Sequence, residues 1–108
     1  MIDSPQQVER LLAKVTEVLP MPARVTPELA ATLRQPDLVA IPPTCLITSV
    51  NYAGDEGGIM CRLDFGPGYD KAVYTSITHL RFDPRLPLTR DITAYQKHRI
   101  KRIRRYQP

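Results

Sequence analysis

Val8, Leu11, Leu12, Val15, Val18 and Leu19 recur at the spacing of one helix face. Glu9, Arg10, Lys14 and Glu17 fall between them, so the segment reads as an amphipathic helix with a solvated outer face. Its start is marked by Ser4-Pro5-Gln6-Gln7: a hydroxyl for the N-cap, a proline for the first turn, and Gln7 to complete a capping box. Pro20 and Pro22 follow its last apolar positions. The pattern predicts a helix over 5–19. Thr26-Pro27-Glu28 repeats the start signal, and Leu29 and Leu33 anchor a shorter helix over 27–35, ahead of Pro36. Together these elements predict an N-terminal helical hairpin.

The period then changes from helical to alternating. Residues 44–52 are rich in β-branched side chains, Gly54-Asp55-Glu56-Gly57 forms a turn, and 59–65 reads as a second strand. A hairpin in which Ala53 opposes Gly58 sets Leu46, Thr48, Val50 and Tyr52 against Phe65, Leu63, Cys61 and Ile59. Directly opposed residues share a sheet face, so this register gathers an almost wholly apolar surface. Asn51, Arg62 and Asp64 fall on the solvent side, and Cys45 falls on the face opposite Cys61. Gly66-Pro67-Gly68-Tyr69-Asp70 is a second turn, and 72–82 is the third strand. Its alternation allows two phases: Tyr74, Leu80 and Phe82 inward, or Val73, Ile77 and His79 inward. A slip of one residue exchanges them.

A last helix over 90–106 follows a cap at Thr89. Stepped at ~100° per residue, Ile92, Tyr95, Ile103 and Tyr106 form an apolar stripe with Ile100 on its flank. Lys97, Lys101, Arg104 and Arg105 lie on the opposite side. Arg99 interrupts the stripe. A buried guanidinium must be paired or reach water, so Asp64, Asp83 and Asp91 are candidate partners. Helix, helix, three-stranded antiparallel meander and basic amphipathic helix make a single α+β domain over 1–108.

Charge sharpens this picture. Six of the 15 Lys and Arg residues lie between 97 and 105, with no acidic residue among them. The remaining nine cations face 11 carboxylates, so the rest of the chain carries −2 and the net +4 is a local property of the last helix. Clustered cations of this kind are the electrostatic footprint of a polyanion partner. Helix-dipole stabilisation and solubility are the competing account.

The other chemistry is sparse. Cys45 and Cys61 are too few and too far apart for a disulfide framework or a compact zinc pattern, so no metal or cofactor is expected. His79, Arg81 and Asp83 alternate along the predicted third strand and would project from one sheet face. Such a row can serve acid–base chemistry on a phosphodiester, or form an exposed ion-pair row. Neither glycine-rich turn fits a phosphate-binding loop. The first residues lack a signal-peptide pattern, and no apolar run is long enough to span a bilayer, so a cytoplasmic location is expected and membrane partners are not.

The element order is loosely similar to that of the small basic ribonuclease toxins of bacterial toxin–antitoxin pairs, which usually begin with a strand. That resemblance, of topology alone, keeps a ribonuclease in view, and the His79 and Arg81 row then predicts RNA cleavage lost in His79→Ala and Arg81→Ala. The residues themselves favour a non-enzymatic domain that contacts nucleic acid or another polyanion through Lys97, Lys101, Arg102, Arg104 and Arg105, with no catalytic residue assigned. A protein-interaction module, binding an acidic protein or forming a homodimer through open sheet edges, is the alternative.

Overall fold

The computed structural model of the chain describes residues 2–33, 42–67 and 73–106. Helix α1 spans Pro5–Glu17, with Pro5 in its first turn and Ser4 Oγ accepting from the Gln7 N–H at 3.4 Å. It buries Val8, Leu11 and Val15 and packs against the sheet and the last helix. The predicted capped start is therefore present, and the helix ends two residues before the predicted 19.

The chain does not continue into a helical hairpin. Strand β1, Met21–Val25, intervenes before α2, Pro27–Leu33. Met21 and Ala23 are buried while Pro22 and Arg24 are exposed, the period-two signature of a strand. Two prolines read as stop signals concealed it. Pro22 is tolerated because of where its nitrogen points. The Val25 N–H bonds to Pro43 O at 2.9 Å, toward strand β2 (Thr44–Tyr52). Alternation turns the Pro22 nitrogen the other way, toward β5 (Leu80–Arg81), which pairs only with Arg24 and Val25. The missing donor thus costs no ladder bond. Thr26 caps α2 by accepting from the Leu29 N–H at 3.2 Å, and Leu29 is buried. The predicted residues 34 and 35, and the Leu33 side chain, lie outside the described residues.

Strands β2 and β3 (Ile59–Asp64) form the predicted hairpin, closed by the Ala53 N–H to Gly58 O bond at 2.8 Å. Tyr52↔Ile59 and Val50↔Cys61 pair in the predicted register, but a bulge shifts it between Ile47 and Ser49. An extra residue on one strand reverses its facing beyond that point. Ile47, not Thr48, therefore opposes Leu63, and Leu46 opposes Asp64 rather than Phe65. Leu46 is exposed, and Cys45 is buried on the same apolar side as Cys61, correcting the predicted separation of the two cysteines.

The predicted third strand is two strands. Strand β4, Val73–Ser76, pairs with β3; a 3-10 turn follows at Ile77–His79, and β5 pairs with β1. The turn changes the phase, so each predicted alternative holds in part. Thr75 and Ile77 are buried before it ends, Leu80 is buried after it, and Tyr74 faces solvent. Residue 72 lies outside the described set.

The three-stranded meander thus becomes a five-stranded antiparallel sheet in the order β4-β3-β2-β1-β5. Strands consecutive in sequence lie at opposite edges. A flat sheet would separate those edges by about 19 Å, from a strand spacing of ~4.8 Å. A three-residue 3-10 turn advances only ~2 Å per residue, so the sheet must curl until its edges approach. The core fills this curl: Met21, Ala23, Ile47, Ile59, Cys61, Leu63 and Leu80 meet Val8, Leu11 and Val15 of α1 and Ile92 and Tyr95 of α3 (Thr89–Tyr106). The chain is an α+β protein, as its element content implied.

Candidate nucleic-acid interface

Helix α3 carries the cationic residues of the candidate interface, and its buried face holds the helix in place. Ile92 and Tyr95 are fully buried, but so nearly are two polar residues, Gln96 and Arg99. The Gln96 amide donates to Ile77 O at 2.8 Å and Leu80 O at 2.9 Å, tying α3 to the connection between the sheet edges. Arg99 pairs with Asp3 at 2.9 Å, the two side chains being 4% and 0% exposed. Its other nitrogen donates to Asp55 O at 2.7 Å.

Asp3 Oδ2 also accepts from the Tyr95 hydroxyl at 3.0 Å and the Tyr52 hydroxyl at 3.1 Å, while the Ile59 N–H donates to the Tyr95 oxygen at 3.1 Å. The Ile2 N–H donates to Asp55 Oδ1 at 3.0 Å. Asp3 Oδ1 is buried without a hydrogen-bond partner among the described residues. Burial pushes the Tyr95 phenol well above the usual tyrosine range, and the Asp3 charge adds to the effect. Arg99 is therefore a buried, paired group, but with a carboxylate other than the three expected. Asp83 is engaged by Arg85 and Asp91 by Lys14, while Asp64 accepts from the Gly66 N–H.

On the opposite side of α3, Lys97, Lys101, Arg104 and Arg105 are exposed. None of the four makes an ion pair with a described carboxylate; the ion pairs among described residues involve Lys14, Arg85 and Arg99. Arg102, grouped with them by sequence, is half-buried and turned off the ridge. Ile100 lies among the cations and is 41% exposed. These four cations and Ile100 line a shallow depression of about 520 Å³. The Tyr106 side chain, placed by sequence in the apolar stripe, lies outside the described residues.

The other candidate groups are not assembled into one row. His79 ends the 3-10 turn, exposed, with its carbonyl accepting from the Thr26 hydroxyl. Arg81 is exposed on β5. Asp83 lies beyond the strand, where hydrogen bonds from the Arg85 side chain and backbone hold its carboxyl down at about 2. His98 is half-buried on α3, and Tyr74 is exposed on β4. The two cysteines are free and buried; burial raises the Cys45 thiol to about 11 and the Cys61 thiol to about 12. No group of three or more His, Cys, Asp or Glu suited to a metal ion occurs among the described residues. No helix among them is long and apolar enough to cross a membrane.

Comparison with known proteins finds no matching family model, no matching curated protein and no matching solved structure.

Proposed function

We propose that this α+β protein is a binding domain that docks on nucleic acid, or another polyanion, through phosphate contacts from Lys97, Lys101, Arg104 and Arg105, with Arg102 assisting at the margin. The observation that carries this reading is the ridge itself: four exposed cations on one helix face with no described carboxylate to neutralise them. Cations left unpaired repel one another, and phosphates relieve that repulsion while releasing counterions. The buried face of α3, anchored by Gln96 and Arg99, presents the ridge on a fixed support. Phosphate contacts position a ligand without reading its sequence, so little base preference in duplex DNA is expected.

Fluorescence anisotropy with labelled RNA and DNA across a salt series tests this. Affinity should fall linearly in log–log salt, and changing all four cations to Gln should remove binding and leave the circular dichroism spectrum unchanged. Each lost phosphate contact should lower the salt slope by about one. Absence of binding by the parent protein near physiological salt would refute the reading. A second reading, a homodimer through the β4 edge, is favoured by Tyr74, 57% exposed on that strand; a native mass at twice the chain mass would support it.

A further inference from the structure

A second, smaller depression adjoins the ridge. It has a volume of about 240 Å³, and its lining includes Glu56, Ser76, Thr78, His79, Arg99, Ile100 and Ile103. Ile100 belongs to both depressions, so they meet at an exposed apolar side chain set among cations. Ile100 and Ile103 stand three residues apart, on neighbouring positions of the helix surface, and make one apolar wall. The rest of the lining is polar. The Ser76 and Thr78 hydroxyls lie 2.9 Å apart, and Ser76 Oγ also accepts from the Thr78 N–H. Exposed His79 and Glu56 belong to it as well.

These two surfaces ask for different halves of one ligand. The ridge asks for anions. The smaller depression holds one carboxylate, Glu56, and one guanidinium, Arg99, that is already paired with Asp3, and combines them with an apolar wall and several donors and acceptors. A nucleotide has this division: an anionic backbone, and a neutral base with an apolar face and a hydrogen-bonding edge. Ligand sites for larger organic molecules run from roughly 300 Å³ upward; the smaller depression suits a single base. In a duplex the base faces are stacked and hidden, whereas unpaired bases can be splayed out.

Building on the proposed ridge function, we infer that the depression beside Ile100 receives one unpaired base, so that the ligand is single-stranded nucleic acid with its backbone on the cationic ridge.

Anisotropy across a salt series, with the probes compared at equal salt, tests this with a short labelled oligonucleotide as single-stranded RNA, single-stranded DNA and duplex. Ile100→Ser and His79→Ala are suitable variants because both residues are exposed. The expected result is tighter binding of a single strand than of the duplex. Ile100→Ser should weaken the single strand by about tenfold, the scale of losing the burial of one aliphatic side chain. The salt slope should not change, since the cations are untouched. His79→Ala should weaken the single strand in the same sense. Equal affinity for single strand and duplex overturns the inference, as does a single-strand preference insensitive to Ile100→Ser. In either case, binding still lost in the four-cation variant would leave the ridge function standing. No binding of any probe would refute both.

Discussion

A guanidinium almost removed from water must keep its counter-charge, and Arg99 keeps Asp3. Removing one partner strands the other, which for a buried pair costs about 3–5 kcal/mol. Asp3→Ala should therefore lower the unfolding free energy by about that amount, as should Arg99→Leu. The double variant should be more stable than either single one, because no buried charge is then uncompensated. Urea unfolding of the three variants checks this; a cost below ~1 kcal/mol for Asp3→Ala would mean that water reaches Arg99. The anomaly of Arg99 was visible in the helical pattern. Its partner was not, because Asp3 is 96 residues away in sequence and nothing local distinguishes it from other carboxylates. Gln96 carried no signal either: a polar residue at a stripe margin is indistinguishable from a solvated one until the Ile77 and Leu80 carbonyls are placed beside it.

At the level of elements, the β2–β3 hairpin depends on a close approach to α3. Gly58 has φ +66°, and a Cβ there would collide with the Tyr95 hydroxyl and crowd the Arg99 guanidinium. Gly54, in the same connection, has φ +74° and open space around it. Gly54→Ala should cost about 1–2 kcal/mol, the left-handed backbone penalty alone. Gly58→Ala should cost about 2–4 kcal/mol, because overpacking adds to it. Chemical denaturation of both variants measures the difference; equal costs would mean that the Tyr95 and Arg99 side chains yield freely. The hairpin, α1 and α3 were legible because each rests on local periodicity and turn chemistry. Strand β1 was not, since Met21–Val25 is short and contains a proline whose acceptability depends on where β5 stops. The bulge at β2 left only an ambiguous trace: Cys45-Leu46-Ile47 and Thr48-Ser49 interrupt the alternation of Thr44–Tyr52, but only pairing with β3 fixes where the extra residue sits.

For the molecule as a whole, the curled sheet encloses both cysteines, and solvent reaches them only when that enclosure opens. Burial favours the neutral thiols, raising Cys45 to about 11 and Cys61 to about 12. This contribution to stability is fully present below the ordinary thiol range and is lost as pH rises through those values. At pH 8 a thiol reagent should therefore modify neither cysteine in the native protein and both in denaturant, as read by mass spectrometry. Fast native labelling of Cys45 would mean that the β1–β2 pairing opens independently of the rest. Mutual enclosure also explains why the cationic ridge stays outside: a curl closed by α1 and one face of α3 leaves the other face of α3 to solvent.

The amino-acid sequence by itself determined the three helices, the central hairpin, the α+β class and the cationic face of the last helix. Each follows from interactions between residues a few positions apart. The tertiary structure alone decided the strand count, the bulge, the splitting of the third strand, the Asp3–Arg99 pair and the placing of Ile100, Ser76 and Thr78 around one depression. These depend on contacts between residues distant in sequence, whose gain in burial and hydrogen bonding outweighs local preference only once the chain has closed on itself.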